Sequence, residues 1–140
     1  MNSLRNSIEA ALNDWRKSGV QLLPPAPYDQ MIEALLATGR PISRDVIELY
    51  SLTGGMVDGE SDPRLFNLWD LDRVIEENRK YRGMGLLFAD FCIDAHCYAF
   101  NYESPERSSV AIEYFNQPVP DILATSVEEF FVRLLTDQIQ

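Results

Sequence analysis

At 140 residues, with 46% hydrophobic and 24% charged side chains, the chain has the size and composition of one soluble domain that can bury a core without disulfide or metal staples. No apolar run approaches the ~20 residues of a membrane span, and a formal net charge of −10 repels phosphate backbones, so no membrane and no nucleic-acid partner is expected. The acidity is uneven: residues 1–44 carry five basic and four acidic side chains, residues 45–140 seven and eighteen, which favours a basic partner.

In chain order, Asn2 or Ser3 can cap a first helix whose Leu4, Ile8, Ala11, Leu12 and Trp15 form one apolar stripe, with Gly19 as its stop. Arg5, Glu9, Asp14 and Arg16 interrupt this segment, unlike a signal peptide, so a cytoplasmic chain with reduced cysteines is expected. Leu22 to Pro27 is an extended, proline-rich connector. Tyr28 to Thr38 reads as a second helix with Met31, Ile32, Leu35 and Leu36 inward. Ser43 caps a third through Thr53, which Gly54-Gly55 ends. Met56 to Arg64 is a loop with room for a short strand at Met56-Val57. Leu65 to Trp69 is a strand, and Asp70 caps a helix with Leu71, Val74, Ile75 and Asn78 at helical spacing.

Gly85 to Tyr102 is the densest apolar stretch, and it holds both cysteines and the only histidine. Rich in Phe and Tyr and broken near Asp94-Ala95, it predicts a β-hairpin. Val110, Ile112 and Tyr114 then alternate with Ala111 and Glu113, as in a half-buried strand. Asn116 to Pro120 turns the chain, and Ser126-Val127-Glu128-Glu129 is a capping box before Phe130, Phe131, Leu134 and Leu135. Hairpin connections imply antiparallel neighbours. The expected fold is α+β, a mainly antiparallel sheet flanked by helices, in a single domain over residues 1–140.

This order of elements resembles the SUKH superfamily, which includes fungal cell-wall-assembly regulators and bacterial immunity proteins of polymorphic toxin systems. The resemblance lies in four segments. Ile42-Ser43 with Val46 to Gly55 resembles the family's helix that ends in an aromatic residue, a Thr or Asn and glycine. Leu68 to Asn78 is similar to its strand-then-helix segment, Leu87 to Asp90 with Tyr98 to Phe100 to its central hairpin, and Thr125 to Phe131 to its closing helix. The family's hairpin usually turns on glycine, whereas this chain has Asp94-Ala95-His96.

Chemistry-bearing residues concentrate in the hairpin: Asp90, Cys92, Asp94, His96 and Cys97. A hairpin turning on Asp94-Ala95, or on a loop from Ile93 to His96, places Cys92 opposite Cys97 within disulfide reach. His96 and Cys97, as strand neighbours, point to opposite faces and do not converge on one ion, so no metal is expected and the thiols read as packing. Asp58-Gly59-Glu60-Ser61-Asp62 begins like a calcium loop, but Pro63 and Trp69 stand where the pattern needs glycine and glutamate. Asp90, inside an apolar strand, is either a base with a raised pKa or a carboxylate bonded to a backbone donor or facing solvent on an edge. No nucleophile elbow, phosphate loop or dinucleotide fingerprint occurs, so no enzyme and no cofactor is expected.

The resemblance implies an immunity protein that binds and neutralises a cognate toxin domain, with an intracellular scaffold or regulator as the alternative. Because many toxins countered by the family are nucleases with basic surfaces, the implied partner is a basic toxin domain. The carboxylates placed in loops are the partner-binding candidates: Asp58, Glu60, Asp62, Asp94, Glu103 and Glu106.

Overall fold

The computed structural model describes residues 2–93, 95–114 and 119–139. The chain runs α1 (Ser3–Lys17), α2 (Tyr28–Leu36), α3 (Arg44–Leu52), β1 (Phe66–Leu68), α4 (Leu71–Lys80), β2 (Leu86–Phe91), β3 (His96–Tyr102), β4 (Ser108–Glu113), β5 (Asp121–Ala124) and α5 (Val127–Leu135). The five strands pair in sequence order, each antiparallel to the next, which gives the α+β architecture that short connections between apolar runs predict. Three of the caps are those expected. Asn2 accepts from the Arg5 amide, Asp70 from Arg73 and Ser126 from Glu129.

Ser43 is different: its hydroxyl makes no cap bond and instead donates to Asp45 and meets the Ser108 hydroxyl at 2.6 Å. Asp45 in turn accepts from the Ser108 amide at 3.1 Å, so a buried polar cluster joins the start of α3 to β4. At the other end of α3, Gly55 takes φ +96°, and a side chain there would meet the Trp69 carbonyl oxygen at 2.5 Å. Only glycine satisfies both conditions.

The sheet has two unlike faces. Phe66, Tyr98, Phe100 and Ile112 share one of them by alternation and register. Trp15 of α1 stacks on Phe66 with centroids 5.9 Å apart, and Phe130 of α5 contacts Phe66, Phe88 and Tyr98 at 5.6–5.8 Å. This aromatic layer is the centre of the core, where truncating one ring typically costs about 3–5 kcal/mol. On the opposite face, Asn67, Asp90, Cys97 and Glu113 form one row across β1 to β4. All four are buried, and all but the thiol are polar or charged.

A β-bulge decides which face Asp90 joins. Leu86 and Leu87 pair with Phe100 and Ala99, whereas Ala89 pairs with Tyr98, so Phe88 is an extra residue in β2. Without it, Phe88 and Asp90 would share the aromatic face; with it, Phe88 stacks on Phe100 at 3.8 Å while Asp90 turns to the polar face. Beside the bulge, Asn78 of α4 accepts from the Leu87 amide and donates to the Leu87 carbonyl, each at 2.8 Å. Its amide stands in for a strand neighbour there, because β1 pairs only from Ala89 to Phe91.

Several expectations need correction. α2 ends at Leu36, whose side chain is 64% exposed rather than inward. β4 is buried along its whole length instead of on alternate residues, because α5 lies on one side and Tyr81 reaches over the other. A fifth strand, β5, follows Pro120 at the sheet edge, the position where a preceding proline costs no ladder bond. Met56 makes a single antiparallel bridge to Leu22 rather than a strand. The turn expected from Asn116 to Pro120 falls largely on residues outside those described.

Candidate functional site

The connection between β2 and β3 is Cys92 to Ala95, and Phe91 pairs with His96. This register places Asp90, not Cys92, opposite Cys97. Cys92 is exposed at the hairpin end and Cys97 is buried in the sheet; neither forms a disulfide. His96 is not a turn residue either. It opens β3, stacks on Phe91 with centroids 5.0 Å apart, and is packed by Tyr98 and Tyr114. Burial lowers its pKa, so the imidazole is held neutral. Among the described residues, no three His, Cys, Asp or Glu side chains come together as a metal-ion site.

Asp90 is not at an edge, because β2 lies between β1 and β3. Its Oδ2 accepts from the Trp69 indole and from the Arg73 guanidinium, each at 2.9 Å. Arg73 also donates to the Asn67 side-chain oxygen at 3.0 Å and lies over the Trp69 ring at 4.5 Å. The cap at Asp70 sets this geometry: it starts α4 so that Arg73, one turn in, reaches back over β1 and β2. A carboxylate engaged in this way fixes a guanidinium and is poorly placed to take a proton from a substrate.

Arg73, Asn67 and Asp90 form the floor of a recess of about 410 Å³ at one end of the polar face. Asp58 and Glu60 stand on its rim, as do Cys92 and two apolar side chains, Leu65 and Ile93. Leu65 is 47% exposed and Ile93 93% exposed. Both adopt left-handed backbone conformations, φ +71° and +53°, and Cys92 between them does so at +52°. The Cys92 amide donates to the Leu65 carbonyl at 2.9 Å, which ties the two loops together. Left-handed backbone is rare for a β-branched residue, and strain of this kind clusters at functional sites.

The six loop carboxylates do not form one group. Asp58 is exposed on the recess rim. Glu60 lies beside it, but its carboxylate already accepts from the Gln21 amide at 2.8 Å. Asp62 is 2% exposed and structural. It accepts from the Trp15 indole, from the Arg64 guanidinium, and from the Arg64 and Phe66 amides at 2.8–3.0 Å, which leaves nothing to offer a partner. Asp94 lies outside the described residues. Glu103 and Glu106 are exposed in the β3–β4 connection, at the opposite end of the hairpin, where Glu103 accepts from Ser109 and Glu106 pairs with Arg44 at 3.4 Å.

A second recess, of about 450 Å³, opens toward that opposite end and is lined by Tyr81, Met84, Tyr102 and Glu113 among others. The Tyr81 hydroxyl donates to Glu113 across the sheet. Burial, and then the bond to Glu113, push the phenol pKa upward, so it remains a donor. The segment carrying Tyr81 is held by Arg40, whose guanidinium donates to the carbonyls of Asn78, Tyr81, Gly83 and Gly85.

Sequence patterning identifies Asp58 and Glu60 as exposed or partly exposed loop carboxylates but not Leu65, Ile93, Arg73 or Glu113. The one available signal was Ile93 itself, an isoleucine in a turn where glycine or asparagine is usual. Neither a scan against protein-family models nor a search of curated proteins found a match for this chain. No helix among the described residues is long and apolar enough to cross a membrane.

Proposed function

We propose that this chain is a non-enzymatic protein-binding module, and in particular an immunity protein that binds a basic toxin domain, such as a nuclease, and masks its active surface. The observation that carries the reading is the pair Leu65 and Ile93: two exposed apolar side chains, in backbone conformations they disfavour, on the rim of the recess that Asp58 and Glu60 flank. An apolar anchor beside carboxylates is the chemistry of an interface hot spot for a basic, partly apolar partner. The uneven acidity of residues 45–140 supports the same partner class, and the resemblance of the hairpin and closing helix to SUKH proteins supports the immunity role.

Co-expression with a toxin domain encoded beside this chain tests the reading. The wild-type chain is expected to restore growth and to form a complex that survives gel filtration. Ile93→Asp should weaken the complex by about 2 kcal/mol, the cost of losing a hot-spot side chain, while leaving the fold intact because Ile93 is solvent-exposed. Charge reversal at Asp58 should slow association. If growth is not restored, or if both variants bind like wild type, the proposed role or the proposed face is wrong.

A further inference from the structure

The second recess carries a buried carboxylate that pairs directly with no cation among the described residues. Glu113 is 7% exposed, and among the described residues it makes no ion pair within 4 Å; its bonding partner is the neutral Tyr81 hydroxyl. Arg40 lies over the Tyr81 ring at 5.1 Å and gives its donors to four backbone carbonyls, so it makes no direct bond to Glu113. An ionised carboxylate has about four lone-pair sites, so one bond from Tyr81 leaves it acceptor capacity for a further donor.

The walls around it suit an organic cation. Tyr81 provides aromatic surface, Pro41 and Met84 apolar surface, and Met84 is 93% exposed at the mouth. Aromatic rings attract cations through their faces, and the aliphatic stem of a long basic side chain packs well on Met and Pro. By register, Glu113 and Asn101 lie on the same sheet face as Asn67 and Asp90 of the first recess, so one partner surface can reach both.

We infer that the Glu113 recess is a cation-accepting subsite that takes an arginine or lysine side chain of the bound protein, with its charged head at Glu113 and its stem along Met84 and Pro41. This rests on the protein-binding reading above and assigns a second anchor to the same face. The first recess would seat an apolar contact, and the second a buried ion pair that fixes the orientation of the partner.

N-acetylarginine amide and its neutral isostere N-acetylcitrulline amide, titrated separately into the isotopically labelled full chain, test the subsite without any partner. The arginine probe should give saturable amide shifts at Gly85, Asn101, Tyr102 and Glu113. Citrulline should bind at least fivefold more weakly, and Glu113→Gln should lose at least fivefold for the arginine probe. Met84→Ser, which leaves the carboxylate in place and changes an exposed side chain of the recess, should also weaken the arginine probe. No saturable shift at these positions, or equal response to the two probes, overturns the inference. So does an unchanged affinity in both variants. Because Ile93 lies in the other recess, complex formation that Ile93→Asp abolishes and Glu113→Gln does not would separate failure of this subsite from failure of the binding role.

Discussion

In the proposed role, Ile93 opposes stability while anchoring a partner. It presents a large apolar side chain almost entirely to water from a backbone conformation that costs an L-residue about 1–2 kcal/mol. Glycine removes that cost. Ile93→Gly is therefore expected to stabilise the fold by about 1 kcal/mol while weakening the partner complex. Urea denaturation and a binding titration on the same preparation check this, and a stability loss would show that the conformation is not strained.

His96 makes the opposite kind of contribution. Its burial against Phe91, Tyr98 and Tyr114 lowers its pKa from the ordinary value of about 6.5, so the unfolded chain takes up the proton first. The stability from keeping this ring neutral is present above about pH 6.5 and is lost as the pH falls toward the depressed folded value. His96→Phe, which keeps an aromatic ring in place, should flatten the stability profile below about pH 6.5. Denaturant midpoints measured across that range read the slope directly; equal slopes in the two proteins would assign the pH dependence to other groups.

Between elements, polar side chains hold together what regular hydrogen bonding leaves open. Asn78 satisfies β2 beside its bulge, the Ser43–Asp45–Ser108 cluster joins α3 to β4, and Arg40 gathers the last carbonyls of α4 and those of the segment leading to β2. Arg40 also lies over the Tyr81 ring at 5.1 Å, where it sets one wall of the Glu113 recess. Arg40→Met keeps the aliphatic stem and deletes the donors. A loss of about 2–3 kcal/mol is expected, in line with the worth of charge-assisted bonds. Faster hydrogen exchange at Tyr81 to Gly85 should accompany it; an unchanged exchange pattern would mean that the segment does not depend on Arg40.

At the scale of the molecule, the sheet divides labour between its faces. One is sealed by α1 and α5 over an aromatic layer that provides most of the core; the other carries a buried polar row with a recess toward each end. Acidic residues outnumber basic ones by eleven in residues 45–140, which contain every strand. Such a field accelerates encounter with a basic partner and is screened by salt. Association with a basic toxin domain should slow about tenfold between 0.02 and 0.3 M salt while dissociation changes far less, a difference that stopped-flow kinetics resolves. Salt-independent association would remove electrostatic steering from the account.

What the sequence determined by itself is local. The Leu4 to Trp15 stripe, the caps at Asp70 and Ser126, the apolar hairpin and the acidity follow from spacing and composition, because each depends on residues close together in the chain. The site depended on distant neighbours. Asp58 and Asp62 look alike in sequence, yet Asp62 is buried because the Trp15 indole, 47 residues away, and Arg64 converge on it. Asp90 joins the polar row because one extra residue in β2 shifts the alternation, and Cys92 misses Cys97 because the connection begins one residue earlier than spacing suggests. A one-residue change in register moves every later side chain to the other face, and only pairing with the neighbouring strands decides it.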